Sequence, residues 1–124
     1  MRLLLDTHVL IWLRLEPHKL PGRTASAIMD AGAIAASIVS AWEYGAKRRR
    51  HPRELPLPFE ELLSGLPIER LDLAFACHRY AESLPPIHAD PFDRMLIAQA
   101  LHGGWVLATG DETVRRYPVE TVWD

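Results

Sequence analysis

Short apolar runs alternate with stretches of helical period along this chain, and that alternation limits its fold more than any other feature. Leu3-Leu4-Leu5, Ala33-Ile34-Ala35-Ala36 and Val106-Leu107-Ala108 are continuous rather than alternating, as expected of strands buried on both faces. Helical segments between such strands imply a sheet covered on two sides. The expected fold class is α/β: a three-layer α/β/α arrangement around a central, mostly parallel sheet of four to five strands. With 124 residues there is enough chain for one core and too little for two.

Read in order, residues 2–6 predict a strand, and Thr7 opens a helix carrying Val9, Leu10, Trp12 and Leu13, closed near Pro17. Thr24 to Ala31 is a second helix, stopped at Gly32, and Ala33 to Ser37 a second strand. Val39 to Arg50 is helical, His51 to Pro58 a Pro-rich loop, and Phe59 to Leu66 a short helix. Ile68 to Leu73 reads as a third strand and Ala74 to Leu84 as a helix ended by Pro85-Pro86. Asp90 caps and Pro91 starts the next helix, which stops at Gly103-Gly104. Trp105 to Ala108 is the fourth strand, Asp111 to Tyr117 a short helix, and Val119 to Val122 the last strand.

Four acids fall at or just past strand-to-helix junctions: Asp6, Glu43, Asp93 and Asp111. Singly, each has an ordinary use. Asp6 and Asp111 are capping residues, Asp93 suits a first helical turn, and Glu43 suits a surface pair with Lys47. Together they say more. Asp6 and Asp111 end strands expected to be neighbours, so both point to the edge where open α/β sheets hold their sites. Converging carboxylates repel unless a cation lies between them. Oxygen-only ligands suit Mg²⁺ or Mn²⁺ rather than zinc, and such ions promote phosphodiester hydrolysis.

The segments Leu4-Leu5-Asp6-Thr7-His8-Val9-Leu10-Ile11-Trp12, Ser40-Ala41-Trp42-Glu43, Asp90-Pro91-Phe92-Asp93-Arg94-Met95-Leu96-Ile97-Ala98-Gln99-Ala100 and Leu107-Ala108-Thr109-Gly110-Asp111 stand in an order that resembles the PIN-domain family. Within it, the likeness is to VapC-type toxins of toxin–antitoxin pairs. It implies a single PIN-like domain over residues 1–124 and an Mg²⁺- or Mn²⁺-dependent endoribonuclease. By the resemblance, Asp6, Glu43, Asp93 and Asp111 hold the ion, with Glu112 the alternative fourth acid. Thr7, Ser40 and Thr109 are the hydroxyls beside them. In-line attack of an activated water on RNA would leave a 5′-phosphate and a 3′-hydroxyl. The same likeness implies a homodimer and a cognate antitoxin that occludes the cleft, with Leu10, Trp12, Leu13 and Leu15 offered as contact residues, although their ordinary role is core packing. A stand-alone RNA-processing nuclease is the alternative within the family.

The remaining features narrow the reading. Net charge is −2, so RNA binding needs local basic patches. Lys47-Arg48-Arg49-Arg50 is one such patch, although cations also suit a helix C-terminus. Arg94 is placed to contact phosphate or to brace a carboxylate. Trp12 and Trp42 are expected in the core. His8 and His88 lie nearest the acids but are poor ligands for a hard ion, and surface positions or contacts that support the ligating acids suit them better. One cysteine, Cys77, excludes an intrachain disulfide and fits a reducing cytosol; no stretch suits a membrane span. A Mg²⁺-binding receiver domain shares the size and the acids, but it needs a lysine after a late strand, and none follows here. Walker A, Gly-x-Gly-x-x-Gly and Gly-x-Ser-x-Gly patterns are absent.

Overall fold

The computed structural model describes residues 1–124. Five strands, β1 (Arg2–Leu5), β2 (Ala33–Ser37), β3 (Ile68–Leu71), β4 (Val106–Ala108) and β5 (Thr121–Val122), form one sheet in the order β3-β2-β1-β4-β5. Every pairing is parallel, so the expected mostly parallel sheet is wholly so. The helices are α1 (Thr7–Leu15), α2 (Gly22–Asp30), α3 (Ile38–Arg50), α4 (Phe59–Leu63), α5 (Tyr80–Ser83) and α6 (Pro91–Gly103). None is long and apolar enough to cross a membrane.

The two-residue period of a strand sorts the core into two halves. Leu3 and Leu5 of β1, with Ile34 and Ala36 of β2, face a cluster completed by Val9, Leu10, Tyr44, Leu62 and Leu63. Leu4, Ala35 and Leu107 face the opposite cluster, with Leu96, Ile97, Ala100 and Tyr117. Leu3, Leu4 and Leu5 are completely buried, as the continuous apolar run requires. The chain winds from β1 outward to β3, then returns to place β4 on the other side of β1. Connections leaving the carboxyl ends of β1 and β4 therefore diverge and open a crevice. Into it come the starts of α1 and α6 and the inner face of α3.

Some boundaries depart from expectation. The helix expected over Ala74 to Leu84 is a 3₁₀ segment, Phe75–Arg79, followed by the short α5. Only Cys77 and Leu84 are buried there, and Phe75 is 89% exposed, so no apolar stripe sustains a longer helix. The helix expected over Asp111 to Tyr117 is one 3₁₀ turn, Val114–Arg116. Pro118 disfavours helical backbone at Tyr117, which is extended with ψ 157°. α6 has the anticipated punctuation: Asp90 accepts from the Phe92 N–H at 2.9 Å, and Gly104 closes the helix in the left-handed region at φ 70°.

One aromatic expectation needs correction. Trp12 packs against the core, but Trp42 is 72% exposed. The inward face of α3 is taken by Val39, Ser40 and Tyr44, which turns the neighbouring indole outward. Leu10 is buried, and Trp12, Leu13 and Leu15 pack half-buried against the core, the ordinary role expected of them. The large apolar side chains that face solvent are Met1, Met29, Ile38, Trp42 and Phe75.

Candidate active site

Asp6 ends β1 and caps α1. Its backbone N–H donates to Ala108 O across the sheet, and its Oδ1 accepts from the Thr7 N–H at 2.7 Å. Oδ2 accepts from Thr109 Oγ1 at 2.6 Å, which ties the ends of β1 and β4 together. Burial raises the carboxyl above its ordinary range, against His8 and the hydrogen bonds from Thr109 and Thr7, which lower it.

Glu43 reaches the same hollow from α3. Its Oε1 accepts from Thr7 Oγ1, while Oε2 lies 3.5 Å from Lys47 Nζ. Thr7 Oγ1 is also 3.0 Å from Ser40 Oγ. Thr7 has one hydroxyl proton; if it goes to Glu43, Ser40 must supply the other bond. Thus one threonine beside Asp6 orients the acid on another helix. Ser37 caps α3 by accepting from the Val39 N–H at 2.9 Å, which fixes where that helix starts.

Asp93 lies in the first turn of α6. It lies at the helix mouth as expected and is buried there, with α3 packed against α6. Its carboxyl is pushed up to about 7, chiefly by burial and then by the charges of Asp6, Asp90, Glu43 and Asp111. His88 Nε2 lies 2.9 Å from Asp93 Oδ2. One oxygen each from Asp6, Glu43 and Asp93 lies within 4.8 Å of the others, although the three residues belong to separate elements.

Asp111 stands apart from that trio. Its Oδ1 accepts from the N–H groups of Thr113 at 2.8 Å and Val114 at 3.1 Å, capping the 3₁₀ turn. Its charge nevertheless acts on Asp93. Its neighbour Glu112 is exposed. Thr109 Oγ1 accepts from the Asp111 N–H at 3.1 Å, so one hydroxyl serves both acids.

The cations divide by task. Arg94, expected at a phosphate or a carboxylate, instead donates to the carbonyls of Pro85, Ala81 and Leu84 and to Tyr117 Oη. Arg48 is likewise occupied by the carbonyls of Leu55 and Pro56. Lys47 and Arg50 line a hollow of about 450 Å³ between α3 and α6, beside Glu43, Asp90 and Phe92. Arg49 faces outward with Trp42. A groove of about 650 Å³ runs along α6 past Phe75 and Met95, and no carboxylate lines it.

Sequence reasoning gave the two histidines surface or supporting positions rather than ligation, without naming their contacts. His8 Nε2 accepts from the Gly110 N–H at 3.0 Å, and its ring packs edge-on against Trp12 and Trp123. Trp123 also crowds Gly110, where an added Cβ would lie 2.5 Å from the indole. No local pattern marks the His8 contacts with Gly110 and Trp123, which come from distant turns, whereas His88 meets the nearby Asp90 and Asp93.

Residues 3–120 match the profile of the PIN domain. Ribonuclease VapC22 of Mycobacterium tuberculosis is 31% identical to this chain over 127 residues, which is 97% of each. The chain superposes on the DNA-bound VapBC of Salmonella typhimurium with a TM-score of 0.69, at 21% identity, covering 98% of this chain and 97% of that one. It also superposes on VapBC2 of Rickettsia felis, solved with a DNA fragment from its promoter, with a TM-score of 0.67 at 18% identity over 100% of both. At those identities the structural likeness speaks to the fold.

Proposed function

The chain belongs to the PIN domain family, and on that footing we propose that it is a metal-dependent endoribonuclease acting as the toxin of a toxin–antitoxin pair. The observation that carries the reading is the convergence of Asp6, Glu43 and Asp93 with ligand atoms within 4.8 Å. The donors fit Mg²⁺ or Mn²⁺: all are hard oxygens, and Asp93 is raised to about 7 first by burial and then by neighbouring acids whose charge a cation would offset. The relative whose name is Ribonuclease VapC22 supports the choice of RNA. The VapBC assemblies support a small antitoxin as partner. A homodimer and a cytosolic setting belong to the same proposal.

When bound, a divalent ion there acidifies water and offsets phosphate charge. The chain supplies the rest. Asp6 and Glu43 are aimed by Thr7 and Thr109 before substrate arrives, so little reorganisation is needed on binding. Asp93 closes the third side from α6. Asp111 adds negative charge from its cap position, completing the proposed quartet at longer range. Lys47 and Arg50 flank the hollow between α3 and α6, where they would receive the phosphates on either side of the cut, and Arg49 extends the basic surface. In-line hydrolysis would leave a 5′-phosphate and a 3′-hydroxyl.

The test is to map 5′ ends of cellular RNA after brief expression of wild type and of Asp93→Asn. New 5′-phosphate ends should follow wild type alone. With purified protein, EDTA should stop cleavage and Mn²⁺ restore it. Cleavage that survives EDTA, or equal cleavage by Asp93→Asn, would overturn the reading. A single dominant cut unrelated to translation or growth arrest would favour the RNA-processing alternative within the family.

A further inference from the structure

We propose that His88 is the positioning residue of Asp93, a one-tautomer donor that holds the carboxylate toward the ion. The inference rests on the metal reading above and extends it to a residue outside the acidic quartet.

Each ring nitrogen of His88 has a different neighbour. Nδ1 accepts from the Asp90 N–H at 3.4 Å, so in the neutral ring it carries no proton. The proton belongs on Nε2, 2.9 Å from Asp93 Oδ2. The same assignment argues against His88 as an ion ligand, since the lone pair needed for ligation would sit on the wrong nitrogen. That possibility merits attention because His88, Asp90 and Asp93 also bring ligand atoms within 4.8 Å of one another.

The ring is held from behind. Tyr117 Oη accepts from the His88 backbone N–H at 2.7 Å, and Tyr117 is itself buried. Arg94 donates to that same phenol at 3.2 Å and to Pro85 O at 2.9 Å, bracing the loop that carries His88. Asp93 is adjacent to Arg94, so one turn of α6 supplies both the acid and the brace for its partner. Groups of this kind, bonded to a ligand rather than to the ion, fix ligand orientation, and their loss typically weakens metal binding about 10- to 100-fold. His8 offers a contrast. There the backbone donor, Gly110, engages Nε2, and Nδ1 faces Asp6 Oδ2 at 3.6 Å, too far for a formed hydrogen bond. The two imidazoles should therefore hold opposite tautomers.

Amide substitutions separate the two hands of His88. Glutamine places an N–H₂ near the position of Nε2, while asparagine reproduces only the position of Nδ1. We expect His88→Gln to bind Mn²⁺, titrated alone by calorimetry, within about threefold of wild type, and His88→Asn to bind about 10- to 100-fold more weakly. Both should melt alongside wild type in EDTA. Imidazole ¹⁵N spectra of the metal-free wild type should show His88 protonated on Nε2 and His8 on Nδ1. Equal losses for the two amides, losses that track melting temperature, or a His88 proton on Nδ1 would overturn the assignment while leaving the nuclease reading standing. Wild type that takes up no Mn²⁺ would overturn both.

Discussion

Two regions deliver an aspartate to the same hollow, and they do it differently. At the β1/β4 junction, Asp6 has both oxygens engaged, by the Thr7 N–H and the Thr109 hydroxyl. At the mouth of α6, the capping work falls to Asp90, and Asp93 receives a single side-chain neighbour, His88. The strand-end acid is fixed by two neighbouring parallel strands. The helix-mouth acid is free of capping but surrounded by four other carboxylates. The lesson is a division of labour: one acid is held in place by the sheet, and the other is left to respond to charge.

The largest expected effect treats the two acids alike. Asp6→Asn and Asp93→Asn should each lower RNA cleavage by more than about 100-fold, above the range seen when only an outer contact to a metal ligand is lost. Comparable single-turnover rates for wild type and either variant would show that the corresponding region is dispensable.

The next effect separates the regions. Thr109→Val leaves Asp6 Oδ2 and the Asp111 N–H without their shared partner, which should cost about 1–3 kcal/mol of stability. Tyr117→Phe removes the phenol that accepts from the His88 N–H and from Arg94; His88 is only half-buried and Arg94 keeps its carbonyl acceptors, so the cost should be about 0.5–1.5 kcal/mol. Urea unfolding in EDTA checks the order. A larger loss at Tyr117 would mean that the α6 mouth, not the sheet edge, is the more tightly held.

A further effect is the dependence on pH. Asp93 has an ordinary value of 3.8 and is raised to about 7 in the fold. Between those values the unfolded chain releases its proton first, so the metal-free protein loses stability as pH rises, and the loss levels off above about 7. Asp6 contributes with the same sign, since its carboxyl is also raised. Melting temperatures in EDTA should fall from about pH 5 to about pH 7.5, and Asp93→Asn should flatten the slope. With Mn²⁺ present the trend should weaken or reverse, because the ion binds the deprotonated acids. A slope unchanged by Asp93→Asn would place the titrating group elsewhere.

Much of this architecture could be read along the chain because its causes are local. A run such as Leu3-Leu4-Leu5 has no polar face to give to solvent, and it emerges fully buried on both sides. Asp90-Pro91 and Gly103-Gly104 announce a helix start and stop, and α6 keeps both. The expectation that Asp6 and Asp111 end neighbouring strands holds for the same reason, with β1 paired to β4 in register. Short elements were less legible. The turn at Val114–Arg116 and the broken stretch at Phe75–Ser83 lack the buried stripe that would extend them.

Residues with two plausible uses could not be assigned from their neighbours in the chain. Arg94 is consumed by carbonyls on a preceding turn, Trp42 turns outward while Trp12 turns inward, and Asp111 caps while Asp93 does not. Residue type and spacing therefore determined the strand–helix alternation, the caps and the set of acids available to a site. Tertiary structure decided which acids share a hollow and which cations face it. The physical reason is range. Period and capping act over a few residues, whereas Thr109 reaches Asp6 across 103 positions and Thr7 reaches Glu43 across 36, contacts that exist only once the crossovers have closed the sheet.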